Sequence, residues 1–151
     1  MTRTPPLTRA AFRHFETIPT RWKDNDAYGH VNNATYLSFF DTAITLWQLG
    51  QGMDVTGAGG LRFLAAANGC TYHAEARFPD LLHAGLRVVH LGRSSVRYEI
   101  GIFRNDEDSA ATEGFFVHVC VDPKSRPQPI PARERAMFET LLVATDHADP
   151  V

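Results

Sequence analysis

One segment limits what this chain can become more than any other. From about Asn33 to Leu49 it reads as a helix, stopped by Gly50 and Gly52. Tyr36, Phe40, Ala43, Ile44 and Trp47 fall at helical spacing, and Leu37, Phe39, Leu46 and Leu49 widen the apolar surface well beyond one stripe. A helix apolar nearly all round is one that other structure surrounds. The second half of the chain can supply that cover, because its period changes to two. Cys70, Tyr72, Ala74, Ala76 and Phe78 alternate with Thr71, His73, Glu75 and Arg77, which is strand spacing. Residues 86–93 are β-rich, and Val96, Tyr98, Ile100 and Ile102 alternate with Arg97 and Glu99. After the turn Asn105-Asp106-Glu107-Asp108, Phe115, Val117, Val119 and Val121 alternate with Phe116, His118 and Cys120.

The flanks are less explicit. Residues 12–22 carry spaced aromatics and read as a further strand, which Pro19 confines to an edge or a bulge. Residues 61–67 suit either a helix, by their alanines, or the start of a long strand, by their position. Pro127, Pro129 and Pro131 break the chain before a short helix at about 132–143. Residues 1–10 read as a loose leader and 144–151 as a frayed tail. One buried helix and a run of antiparallel strands have few packing solutions, and the sheet must curl round the helix. The expectation is an α+β fold in one domain over residues 1–151, with unpaired edge strands met by a second copy.

Composition narrows the function classes. With 44% hydrophobic residues and a net charge of −2 over 151 residues, the chain has a real core and is not mostly disordered. A pI near 6.4 argues against a general nucleic-acid binder. No apolar run reaches membrane-spanning length, and Met1-Thr2-Arg3-Thr4-Pro5-Pro6 leads into no signal core. Cys70 and Cys120 are too few for a disulfide scaffold and suit small core positions. These features describe a cytoplasmic protein.

The chemistry concentrates in the loop before the helix. Asp24 and Asp26 precede the helix start, Gly29 permits close backbone approach or a positive φ, and His30, Asn32 and Asn33 follow. The first amides of the helix, near Asn33 and Ala34, have no intrahelical acceptor and sit at the positive end of its dipole. Such a turn binds an anion or steadies an oxyanion as it forms. A carboxylate base beside it is enough for attack of water on an activated carbonyl. The same residue types also make ordinary caps and Asx turns.

The whole string Trp22-Lys23-Asp24-Asn25-Asp26-Ala27-Tyr28-Gly29-His30-Val31-Asn32-Asn33-Ala34-Thr35-Tyr36 strongly resembles the acyl-CoA thioesterases of the hot-dog fold. It resembles the 4-hydroxybenzoyl-CoA thioesterase type, whose signature reads D-x-D-x-x-G-H-V-N-N-x-x-Y. Phe39-Phe40-Asp41-Thr42-Ala43, the turn Leu91-Gly92-Arg93-Ser94-Ser95, and Val121-Asp122 with Arg126-Pro127 to Ile130-Pro131 extend the likeness over about residues 12–140. Where the family usually places Arg after that Ala, Ile44 stands here. The His-centred motif of the hot-dog dehydratases, with its Pro-rich flanks, is absent.

The resemblance implies a long central helix wrapped by a curved antiparallel sheet of about five strands. It implies hydrolysis of an acyl- or aroyl-CoA thioester to the free acid and coenzyme A. Asp26 matches the catalytic carboxylate, either as general base on water or as nucleophile giving a short-lived anhydride. The backbone amide of Asn33 matches the oxyanion donor. Tyr36 would shape the acyl pocket or simply pack the helix, Gly29 would let the loop pass close to substrate, and His30 would organise the loop. Arg93, Ser94 and Ser95, with Arg126 as the weaker candidate, would hold the coenzyme A phosphates, across a subunit boundary in a homodimer or dimer of dimers. No cofactor is implied, coenzyme A entering as part of the substrate. A thiolate leaves readily, since a thiol's pKa is about 8.5, so no strong general acid is needed. Two other readings of the fold are a non-catalytic acyl-CoA-binding module and an enoyl-CoA hydratase.

Other signals are weaker. Asp24, Asp26 and His30 alone make a poor metal shell. His73, His83, His90 and His118 read as satisfied polar sites along strands, and Gly57-Ala58-Gly59-Gly60 as a flexible connection or lid rather than a phosphate loop.

Overall fold

The computed structural model describes residues 3–145. Five strands form one antiparallel sheet: β1 (His14–Pro19), β2 (Arg62–Tyr72), β3 (Leu81–Leu91), β4 (Ser95–Arg104) and β5 (Thr112–Val121), in the order β1-β3-β4-β5-β2. Helix α1 (Asn33–Gly50) packs on one face, and α2 (Ala132–Glu139) follows the last strand. This is the helix-in-sheet arrangement the sequence leads one to expect, down to β1 with Pro19 at an edge.

The inner face is built by alternation. Leu82, Ala84, Leu86 and Val88 on β3, Val96, Tyr98, Ile100 and Ile102 on β4, and Phe116 and Cys120 on β5 join Tyr36, Phe40, Ala43, Ile44 and Trp47 of α1 in one core. Trp47, Tyr98 and Phe63 all meet Phe138 of α2, which closes that end. Ile44, in the family's arginine position, is fully buried. Leu46 and Leu49 remain exposed, so the helix is enclosed on its sheet side but not all round. No helix among the described residues is long and apolar enough to cross a membrane.

Several segments differ from the sequence reading, each for a local reason. The strand expected over 12–22 is confined to His14–Pro19, because the chain turns into a short 3-10 segment at Trp22–Asp24. Residues 62–67 belong to strand, with Leu61 just before it, and their alanines lie exposed along the open edge of β2. The alternation over 70–78 continues past the strand, which ends at Tyr72. The amides of His73 and Ala74 both turn to the carbonyl of Ala111, and the chain then crosses to the far side of the sheet. The last helix stops at Glu139 rather than 143.

The leader is not loose from Arg3 onward. The Ala110 amide donates to the carbonyl of Leu7, and Arg9 reaches Asn105, Glu107 and His83. This strap and Phe12 sit on the outer sheet face, where Phe12, Phe103 and Ala110 form a small second core. Of the expected tail, 146–151 lie outside the described residues. The Gly57–Gly60 stretch is a stapled loop rather than a lid. Asp54 accepts from the Thr56 hydroxyl (2.6 Å), the Thr56 amide (2.8 Å) and the Gly59 amide (2.9 Å). Those bonds, the Thr56 hydroxyl first, hold its carboxyl down at about 2.

His118 departs from the expectation of a satisfied site. It is buried between the rings of Tyr98 and Phe116, and its Nδ1 has no hydrogen-bond partner among the described residues. Burial lowers its pKa, with the Asp41 carboxylate acting against that shift. The unfolded chain therefore takes a proton that the folded chain refuses. The stability from the neutral ring is complete above about pH 6.5 and is lost as pH falls below it. Thermal melts from about pH 7.5 to about 5.5 should show a steeper loss for wild type than for His118→Leu.

Gly114 fixes where α1 sits. A Cβ there would lie 2.4 Å from Cε2 of the fully buried Phe40 ring. Gly114→Ala should cost about 1–3 kcal/mol in chemical denaturation. Gly50→Ala, where a Cβ meets nothing within 4 Å, should not.

Candidate active site

The site forms where the N-terminus of α1 meets the loop before it. Asp24 is buried and caps the 3-10 turn, taking the Arg21 amide at 2.7 Å and its guanidinium at 3.0 Å. Its carbonyl accepts the Asn32 amide at 2.8 Å. Asp24 thus serves the 3-10 turn and not α1, whose cap is Asn32. Asp26 is placed differently. Its amide donates to the carbonyl of His30 (2.8 Å), its carbonyl accepts from Gly29 (3.1 Å), and Oδ1 accepts from the Tyr28 amide (2.9 Å). Its Oδ2 has no partner among the described residues. Gly29 takes φ +80°, a value that closes this turn and suits glycine.

The helix start leaves one donor over. Asn32 is the N-cap: its side chain accepts from Ala34 (3.0 Å) and its carbonyl from Thr35 (2.9 Å). The amide of Asn33 has no acceptor among the described residues. It stands at the positive end of an 18-residue helix.

Asp26, His30, Asn33, Tyr36, Tyr72 and Glu75 line one open cavity of about 290 Å³. Tyr36 packs edge-on against Tyr72 and Phe39, and burial raises the pKa of its hydroxyl. The Tyr72 hydroxyl donates to the carbonyl of Asn33 (3.2 Å), and burial, then the neighbouring Cys70, pushes it up to about 12. Both phenols are neutral donors near neutral pH, not bases. Tyr72 ends β2, and Glu75 arrives with the crossover from β2 to β3. In the sequence they look like two members of an alternating strand, so nothing marked them.

A larger concavity of about 650 Å³ lies over the outer sheet face. It contains neither Asp26 nor Asn33, and its charges answer one another, Arg87 with Glu99 (2.6 Å) and His73 with Glu113. The smaller cavity is the candidate, because it holds the open amide and the half-engaged carboxylate. Among the described residues no group of three His, Cys, Asp or Glu side chains could hold a metal.

The remaining expected residues are not brought here. Arg93, Ser94 and Ser95 form the β3–β4 turn, where the Gly92 amide bonds the Ser95 carbonyl at 2.8 Å. Asp26 lies toward the end of the sheet where β3 begins. The turn is at the other end of that eleven-residue strand, whose length is roughly 33 Å. Arg126 is at that far end too, engaged by Asp122 at 3.2 Å.

The sequence profile of the thioesterase superfamily matches residues 28–111, more than half of the chain. The chain belongs to the thioesterase superfamily. The PA5185 protein of Pseudomonas aeruginosa is 42% identical, with 93% of this chain and 100% of that one aligned at a TM-score of 0.88. A Thermus thermophilus thioesterase complexed with coenzyme A and Zn is 30% identical over 87% of this chain and 95% of that one, TM-score 0.75. A 1,4-dihydroxy-2-naphthoyl-CoA thioesterase from Synechocystis, 16% identical over 82% of this chain and 93% of that one, shares the fold at a TM-score of 0.76. No curated protein matches the chain. This thioesterase is a thioester hydrolase with the hot-dog architecture.

In this thioesterase the cap keeps the open amide in place. Asn32→Ala should cost about 1 kcal/mol of stability. For a chain this size that lowers the melting temperature by roughly 2–4 °C, read by thermal denaturation.

Proposed function

We propose that this thioesterase hydrolyses an acyl- or aroyl-coenzyme A thioester to the free carboxylic acid and coenzyme A, in the cytoplasm. The observation that carries the reading is that Asn33, whose amide has no acceptor among the described residues, lines the same cavity as Asp26, whose carboxylate has one oxygen unengaged among them. An ester carbonyl oxygen bonded to that amide gains most as it becomes an oxyanion, since the donor and the helix dipole are already oriented. Asp26 serves as the base that takes a proton from water while water attacks the carbonyl carbon. The tetrahedral intermediate collapses with loss of the coenzyme A thiolate. At a thiol pKa of about 8.5 this leaving group needs no positioned acid. Attack by Asp26 itself, through an anhydride that water then opens, uses the same two groups. The protein contributes no cofactor to either route.

The working unit is a homodimer joined along β2, or a pair of such dimers. Strand β2 is an eleven-residue edge with Leu64 and Tyr72 exposed, a template for a second copy. Antiparallel pairing of two identical edges sets the far end of one sheet beside the site end of the other. Arg93, Ser94 and Ser95 of one protomer, with Arg126, then become available to the phosphates of coenzyme A bound at its partner's Asp26. The coenzyme A-bound Thermus thermophilus relative supports the substrate class.

Asp26→Asn should lower thiol release from an acyl-coenzyme A by roughly 10²–10⁴-fold. Binding of coenzyme A should change little, by calorimetry. Turnover within threefold of wild type would remove Asp26 from the chemistry. Addition of water to an enoyl-coenzyme A without thiol release would identify a hydratase instead.

A further inference from the structure

The crossover from β2 to β3 brings a carboxylate to the site loop, and no part of the reading above uses it. His30 Nε2 lies 2.8 Å from Glu75 Oε2. The Glu75 side chain is exposed, but the backbone that carries it is held in place. Its carbonyl accepts from the Arg104 guanidinium, and the next residue, Ala76, accepts the Val31 amide at 2.8 Å. Two residues on, the Phe78 amide donates to the Asn25 side chain at 3.1 Å. The crossover is thus laced to the loop on both sides of His30, and the backbone that carries Glu75 is clamped.

We propose that Glu75 is a positioning residue that fixes the tautomer of His30. An ionised carboxylate only accepts hydrogen bonds, so the imidazole nitrogen facing it must carry a hydrogen. Whenever the ring is neutral its lone pair is then at Nδ1, on a residue that lines the same cavity as Asp26. A water molecule there has two acceptors, Asp26 and Nδ1, for its two hydrogens. Its own lone pairs are left to face a thioester carbonyl. In the opposite tautomer Nδ1 would carry a hydrogen and would compete with that water as a donor. The role rests on the proposed hydrolysis with Asp26 as base.

Glu75→Gln tests it, because an amide can accept from Nε2–H or donate to a bare Nε2. Two-bond ¹H–¹⁵N correlation spectra of histidine-labelled protein should show His30 wholly Nε2-protonated in wild type and mixed in the variant. The kcat for thiol release should fall on the order of tenfold with KM within twofold, and the melting temperature should hold. An unchanged tautomer, or an unchanged kcat with a mixed tautomer, overturns the proposal. If Asp26→Asn abolishes turnover while Glu75→Gln does not affect it, the base survives and the role of Glu75 does not. If instead Asp26→Asn turns over normally and Glu75→Gln lowers kcat with a mixed tautomer, the base fails, and of the proposal only the control of the His30 tautomer by Glu75 and its effect on turnover survive, not the water held between Asp26 and Nδ1.

Discussion

The close approach of the Phe40 ring to Gly114 is the contact on which the rest depends. There is no room for a Cβ between helix and sheet at that point, so α1 cannot slide or roll on β5 without losing its buried face. Phe40 is two turns from the start of the helix. Fixing it fixes the first turn, and with it the direction in which the Asn33 amide points. The donor at the site is a backbone atom, and its aim is set by side-chain packing about 10 Å away.

The loop carrying Asp26 is held by other means. It is short of apolar anchors, with Tyr28 and Trp22 largely exposed. Its shape comes from main-chain bonds: Asp26 to His30, Gly29 to Asp26, Asn32 to Asp24 and Val31 to Ala76. Buried Asp24 ties the upstream side. The two acids of the signature thus divide the work. One gives both oxygens to Arg21, while the other commits a single oxygen to a turn and leaves the second without a partner among the described residues.

The helix, the later strands and the loop were legible because each is written in consecutive residues. Helical spacing from Tyr36 to Trp47 and alternation from Val96 to Ile102 state their own periods. The string from Asp24 to Asn33 carries its turn glycine, cap and acids in one run. What could not be read is made by contacts between distant segments. Tyr72 reaches Asn33 from the last position of β2, and Glu75 reaches His30 only because the chain leaves β2 and crosses the sheet end. The period-2 pattern through Phe78 conceals that departure, since backbone amides turning to Ala111 leave no mark on side-chain alternation. The strap at Leu7 and Arg9 was hidden likewise, its partners lying some hundred residues away.

The strand order sets the last constraint. Because β2 follows α1 yet pairs with β5, its outer edge is free, and the crossover that completes the site runs past the end of that edge. The cavity is therefore built from a helix terminus, a loop and a strand end, all near one margin of the sheet. On the proposed reading such a margin is enough for the small reacting group, since one amide and one carboxylate would serve a thioester. It offers little to a long charged handle, because the cations suited to phosphates sit at the other end of a strand about 33 Å long. The proposed two-fold axis across β2 is the simplest operation that would bring both ends together. The sparse chemistry of one chain and the open edge beside it are two consequences of a single topology.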